Sequence, residues 1–397
     1  MARAAALQAL SVGLGFCLVL AAGPGRAAEG EGGIFTWSPS LRLTLVGSDN
    51  VFYEDSGADG SIGGWVAPGV TLAYRRPSLE LGADLGVDFR RYVDHSSLGD
   101  ELYRGVAWVE AAPGHGLTLR LSNAYVPQPV YLGLPEDEGS NLVQTNRAEA
   151  DLRWWHPLPG GRELEIGAQG THFFSDDYAE FVPAAGGGTT LDPDFHSDYV
   201  QGLGFIEVQS PLGERSSAYA RTQGYYRSFG DVARADHGNL SLLLGVRSAR
   251  WENVQLDVAG GVGALSFDSF GDEIRALGRA SVRWRVGEGW TLALQGRHLN
   301  TPNLAGDDAL ETTGELGVTK RFGSATEGRL RLFVTRFEGD LRSSRVNLFG
   351  GSELSVRHQL TRQLQLQAAY RHWHNAGGLR VDDFSQNRIL LQIAFRL

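Results

Sequence analysis

Cysteine is nearly absent from this chain. Of 397 residues only Cys17 is one, and it sits in an apolar N-terminal stretch. Phe16 precedes it where a lipobox needs a small residue, so it is not read as a lipid attachment point. Arg3 gives a short positive start, residues 4–22 are almost wholly apolar, and Gly25 and Ala27 match the small-x-small rule for signal peptidase. Residues 1–27 are therefore expected to be a cleaved signal peptide, leaving a product without disulfides or thiolate chemistry.

Long apolar runs are the second absence. After residue 30 no stretch of 18 apolar residues occurs, which excludes a transmembrane helix. A convincing helical stripe is missing as well. Lysine is the third: Lys320 alone among 36 basic residues, a bias that nucleotide composition can produce and that carries no functional reading. The formal charge is −10, and losing Arg3 and Arg26 with the signal peptide takes it to about −12, which argues against a nucleic-acid binder. Enzyme signatures are missing too: there is no G-x-S-x-G, no H-E-x-x-H and no P-loop. The chain is expected to be neither an enzyme nor a cofactor or metal carrier. His372 and His374 share a strand face without an evident third ligand, and the acidic segments around Asp192, Asp194, Asp198, Asp307 and Asp308 match no calcium loop.

What is present is alternation. "LELGADLGVDF" sets Leu79, Leu81, Ala83, Leu85, Val87 and Phe89 against Glu80, Asp84 and Asp88. "IRALGRASVRWRV" sets Ala276, Ala280, Val282, Trp284 and Val286 against Arg275, Arg279, Arg283 and Arg285. A strict period of two marks strands with one oily and one polar face. Eighteen such stretches run from 39–52 to 383–397, and those at 196–210, 252–267 and 344–359 alternate poorly enough to predict bulges. Tight links such as "RPS" at 76–78 and "PLGE" at 211–214 alternate with long polar ones such as "LGLPEDEGSNL" at 132–142 and the segment 177–194.

Short turns on one rim and long loops on the other predict an all-β fold: a single transmembrane antiparallel β-barrel of about 18 strands in a bacterial outer membrane. An even strand count returns both ends to the periplasm, and lipid requires the sheet to close. The expected organisation is a signal peptide (1–27), a periplasmic segment (28–38) and a barrel (39–397). The closing strand "RILLQIAFRL" ends on Phe395 and Leu397, which look like the signal read by the barrel insertion machinery. Aromatic pairs near strand ends, such as Trp154 and Trp155 or Tyr225 and Tyr226, read as girdles. Membrane lipid and lipopolysaccharide are the expected surroundings.

The strand phase points one basic set inward: Arg275, Arg279, Arg283, Arg285, Arg297, Arg321, Arg329, Arg331, Arg357 and Arg371, with Arg388 and Arg396, opposed by Glu311, Glu315 and Glu353. Strands 3 to 7 carry a mixed set, including Glu80, Asp84, Asp88, Glu110, Glu149, Asp151, Glu163 and Glu165. A basic wall favours anions, and guanidiniums match carboxylates and phosphates. Equally, such charges pair across strands and only stiffen the wall. Loop 177–195 is long enough to fold inward as a constriction.

Three segments carry a family likeness: "SDNVF" (Ser48–Phe52), "VAPGVTLAY" (Val66–Tyr74, with Pro68 and Gly69) and "DFRRYVDHSSLGDELY" (Asp88–Tyr103). Over residues 40–105 the chain resembles the outer-membrane family known as β-barrel porin 2. That resemblance implies export of a secreted, anionic polysaccharide through a wide polar lumen, with a periplasmic export protein as partner. Two other functions remain open on the residues: a general or anion-selective diffusion porin, and a structural or adhesive surface barrel with a plugged lumen.

Overall fold

A computed structural model describes residues 33–50, 60–93, 101–129, 142–175, 178–183, 189–195, 198–230, 236–267, 271–302, 308–338, 346–376 and 384–396. The strands are β1 (Ile34–Ser48), β2 (Ser61–Arg76), β3 (Leu79–Tyr92), β4 (Glu101–Gly114), β5 (Leu117–Pro129), β6 (Leu142–Leu158) and β7 (Arg162–Ser175). A short pair follows, β8 (Tyr178–Pro183) and β9 (Thr189–Phe195). The rest are β10 (Asp198–Gly213), β11 (Ser216–Phe229), β12 (His237–Trp251), β13 (Val254–Phe267), β14 (Gly271–Arg285), β15 (Trp290–Pro302), β16 (Asp308–Phe322), β17 (Thr326–Glu338), β18 (Val346–Gln359), β19 (Leu364–Ala376) and β20 (Phe384–Arg396).

Eighteen of these form one antiparallel sheet in chain order, and β20 pairs back onto β1 from Ser40–Arg396 to Ser48–Arg388. The barrel is closed, so it has no free edge along that ladder. At about 4.8 Å between strands and about 40° of tilt, eighteen strands give a backbone diameter of about 36 Å. The hairpin β8–β9 forms a separate two-stranded sheet within the connection expected as a long loop at 177–195.

Period two sorts every strand into two faces. Leu41, Leu43 and Leu45 of β1, Leu240, Leu242 and Leu244 of β12, and Ile389, Leu391 and Ile393 of β20 all point outward and are exposed. Ile274 is 78 % exposed. Such a surface is stable only against acyl chains. The alternate residues line the inside. The two rims differ as the links imply: turns at 77–78, 115–116 and 159–161 close one rim, with glycines at positive φ (Gly116, Gly160, Gly161, Gly287, Gly289, Gly323) supplying the left-handed backbone that tight turns need. His115 shares that conformation at φ 55°.

Two expectations change. The periplasmic segment expected at 28–38 gives its last five residues to the barrel, because β1 begins at Ile34 rather than at 39. Phe35 and Trp37 pair with Tyr74 and Leu72 of β2, extending the outer aromatic row. Pro39 masks this in the sequence, yet it lies where β1 has run past the end of β20, an edge position that tolerates proline. Of the three strands expected to bulge, β10 has an irregularity at Pro211/Gly213, just beyond the stretch 196–210; in the β12–β13 pair the extra residue lies on β12 between Ser248 and Trp251 rather than on β13; and β18 runs in unbroken register with both neighbours. Its weak alternation comes from Gly350, Gly351 and Ser352, which carry little hydropathy signal.

At the long-loop rim Asp236 fastens the end of β11. Its carboxylate accepts from the Phe229 amide (2.9 Å), the Ser228 hydroxyl (2.8 Å) and the Tyr226 hydroxyl (3.2 Å). Burial pushes this carboxyl up, but those three donors outweigh it and hold it below its ordinary value.

The two faces predict opposite costs for one substitution. Leu242→Arg, in the middle of the outer face, should lower stability in lipid by about 2–4 kcal/mol. Gln295→Arg, on the exposed inner face of β15, should cost far less. Urea unfolding of refolded protein in bilayers measures both, and equal losses would contradict the assignment of faces.

Candidate functional site

The candidate site is the lumen wall. Strand register places all ten arginines of the expected basic set on its inner face, spread over β14 to β19. They divide into two groups. Seven are held by neighbouring polar groups. Arg275 bonds Glu273 at 2.6 Å, and Arg279 lies 3.5 Å from Asp257 and donates to the Tyr219 hydroxyl at 3.0 Å. Arg297 grips Glu311, Arg331 reaches Glu315 at 2.9 Å, and Arg371 reaches Glu353 at 3.1 Å. Arg321 and Arg357 share Glu327, at 3.4 and 3.2 Å. Glu273 and Glu327 are inward acids that the alternation pattern alone did not single out. The other three, Arg283, Arg285 and Arg329, have no carboxylate within salt-bridge reach among the described residues and are exposed near the short-turn rim.

A second network went unread in the sequence because the basic stretch looks as if it starts at β14. Glu207 of β10, buried in the wall, accepts from Arg247 at 2.6 Å and from Arg221 at 3.4 Å. Arg247 continues to Asp257 at 3.4 Å, and Asp257 accepts from the Tyr219 hydroxyl at 2.8 Å. Rings stack under the guanidiniums: Arg221 over Phe205 at 4.0 Å and Arg247 over Tyr219 at 4.1 Å. This chain crosses four strands, β10 to β13, which makes it structural cement as well as lining. The mixed arc is similarly paired in part, with Arg42 against Asp88 at 3.2 Å and Arg104 against Asp84 at 3.5 Å. Glu163 and Glu165 of β7 have no such partner among the described residues.

Aromatic rings on the wall lie flat because a glycine faces them on the next strand. Trp108 covers Gly82, Phe205 covers Gly167, Tyr219 covers Gly245, and Trp373 and Phe333 flank Gly351. A Cβ at any of these glycines would overlap the ring opposite.

The exposure of inward side chains changes along the wall. In the half nearer the long loops, inward side chains have lost solvent: Phe173 is 1 % exposed, Arg388 0 %, and Val46, Trp65, Tyr92, Leu265, Phe384 and Gln386 are likewise buried. Trp65 there carries Arg90 and Arg388 against its ring, at 4.6 and 5.1 Å. In the half nearer the short turns, wall arginines stand in solvent, with the Arg321 side chain 73 % exposed.

Of the other candidates, Phe395 pairs outward with Leu364 and Leu41, while Leu397 lies outside the described residues. His372 and His374 face outward near the long-loop rim, and His372 contacts Asn387 at 3.0 Å. No group of three metal-ligating side chains gathers among the described residues. The side chains of Asp192, Asp194, Asp307 and Asp308 lie outside what is described.

No protein-family model and no curated protein matches this chain, so the likeness to β-barrel porin 2 gains no support. Solved structures do match. Acinetobacter baumannii OccAB4 aligns with TM-score 0.52 at 11 % identity, over 94 % of this chain and all of that one. Pseudomonas aeruginosa OccK2 (OpdF) gives 0.52 at 12 %, over 91 % and 98 %. Pseudomonas aeruginosa OpdK, solved with vanillate, gives 0.50 at 13 %, over 91 % and 99 %. The shared feature is the fold, over nearly the whole of each chain. With its greasy exterior and closed ladder, this protein is an outer-membrane β-barrel of porin architecture.

The glycine–ring pairs predict how the bore responds. Gly82→Val should swing Trp108 into the lumen and lower single-channel conductance, whereas Gly47→Val, on the outer face with open space around it, should leave conductance unchanged. Planar-bilayer recordings compare the two.

Proposed function

We propose that the barrel is a diffusion channel for small solutes with a preference for anions. The observation that carries this reading is the trio Arg283, Arg285 and Arg329, which no acid among the described residues pairs with. Paired guanidiniums are largely neutral to a passing ion, so only unpaired ones set the local potential. They stand on the wet, short-turn half of the lumen, where a solute meets them. Glu163 and Glu165 sit across the bore from Arg329, since β7 and β17 are eight strands apart of eighteen, while β14 with Arg283 and Arg285 is five strands from β7. That arrangement lays a field across the bore and draws anions to the β14–β17 side.

The same bore disfavours polysaccharide export as the main function. A polymer needs a long run of wet wall, and in the long-loop half many inward side chains are packed against their neighbours and buried. A small carboxylate needs much less room. The fold neighbour OpdK was solved with vanillate, a small aromatic carboxylate, which supports this choice of solute size and charge.

Reversal potentials across a KCl gradient test the reading. The wild-type channel should favour chloride. Arg283→Glu combined with Arg329→Glu should shift the reversal potential toward potassium, and Glu163→Gln with Glu165→Gln should strengthen chloride preference. A reversal potential that ignores both pairs of changes rules the reading out.

A further inference from the structure

Six cations at the short-turn rim are not accounted for by the lumen. Arg76, Arg162 and Lys320 lie on outer-face rows, in phase with Tyr74, Leu164 and Val318, at the short-turn ends of β2, β7 and β16. Arg215 and Arg362 stand in the turns that follow β10 and β18, and Arg250 stands beside the turn after β12. The six belong to six different hairpins, and the widest gap between them is five strands of eighteen, from β2 to β7.

Arg162, Arg215, Arg250 and Arg362 are exposed, and their guanidiniums have no ion-pair or hydrogen-bond partner among the described residues. Arg76 and Lys320 are carried on rings instead. Arg76 lies 5.4 Å over the Tyr74 ring and donates to its hydroxyl. Lys320 lies 4.9 Å over Trp290 and gives one of its three donors to the Glu288 carbonyl at 3.1 Å. Trp251, next to Arg250, is exposed as well. A ring with a cation above it suits a membrane interface, where the ring meets acyl ends and the charge meets headgroups. The two rims differ in sign. The short turns carry Glu214, Glu252 and Glu288, three carboxylates against the six cations. Four of the long links, 54–60, 94–100, 132–142 and 177–194, hold acids and neither lysine nor arginine.

From this arrangement we infer that the short-turn rim is a collar that binds the phosphate headgroups of anionic phospholipids in the leaflet around it. Guanidiniums without an acid partner keep their donor fork for phosphate oxygens. Arg76, Arg162 and Lys320 point away from the barrel axis, toward surrounding lipid. The charges are spread round the circumference as lipid is, whereas a docked protein needs them gathered on one arc. The turns are only two to four residues long, which keeps the cations at headgroup level and short of any layer beneath the membrane. Each anionic headgroup drawn in therefore meets a cation near the surface, where such attraction is effective.

The test refolds the full chain into phosphatidylcholine vesicles holding a trace of spin-labelled phosphatidylglycerol or spin-labelled phosphatidylcholine. Electron spin resonance then reads the share of label held at the protein surface. Phosphatidylglycerol should associate about two- to fivefold more strongly, the scale of one headgroup meeting one cation, and about 0.5 M NaCl should erase most of the difference. Arg76→Gln, Arg162→Gln and Lys320→Gln together should remove at least half of the excess, while Arg76→Lys with Arg162→Lys should keep it. Equal association of the two lipids in the wild type, or an excess unchanged in the triple glutamine variant, overturns the collar. Co-sedimentation of the solubilised barrel with isolated peptidoglycan, lost in the triple variant, also overturns it, because the cations would then serve the layer below. Reversal potentials should be the same in the triple variant as in the wild type, and a shift would place these groups in the lumen and end the proposal.

Discussion

The closing ladder between β1 and β20 is the constraint on which everything else depends. In hydrocarbon an unpaired amide or carbonyl costs several kcal/mol, so a sheet with a free edge could not sit there. Only nine residue pairs make the closure, against fifteen between β1 and β2. Side chains reinforce it on both faces. Asn387 donates twice to Asp49 at 2.7 Å, its backbone amide to one carboxylate oxygen and its side-chain amide to the other, while Gln386 reaches the Ser48 hydroxyl at 3.0 Å within the lumen. Closure in turn fixes the side to which each residue points. A slip of one residue would turn Leu391 inward and Arg388 out into lipid.

That coupling explains why the barrel was legible from sequence. Exterior residues must be apolar for want of water, and interior ones must be polar to hydrate the lumen, so the period-two signal is written by two solvents at once. Where one writer falls silent the signal fades. Gly350 and Gly351 blur β18, and Pro39 hides the start of β1. The hairpin β8–β9 lies outside the main sheet, so neither solvent writes a period into it and its sequence looks like loop.

The site was legible in part. Phase put all ten arginines inside, but phase is a statement about one strand. Whether a charge is spent depends on the strand beside it and on the register between them. Arg329 and Arg331 look equivalent along β17. Across the ladder Arg331 meets Glu315 diagonally on β16, whereas Arg329 faces Thr319 and Ser355. The same holds for Arg279 and Arg283, two turns of the pleat apart, one tied to Asp257 and the other beside Gln255. Register carries the difference, and single-strand alternation does not contain register.

Separating spent from unspent charge also gives the proposed channel its physical basis. Cross-strand pairs such as Arg297–Glu311 contribute stiffness, because each ties neighbouring strands and neither partner is free to bind a solute. Stiffness matters in a bore whose rings are kept flat by glycines opposite them, since a sagging wall would let Trp108 or Tyr219 turn inward and close the path. The few guanidiniums left over then act on a passage whose shape is held by the many that are paired. A wall of unpaired arginines would attract anions more strongly, but it would repel itself and bind them too tightly to release. A mostly neutralised wall with a small excess on one arc would give entry without capture, as the proposed diffusion channel requires.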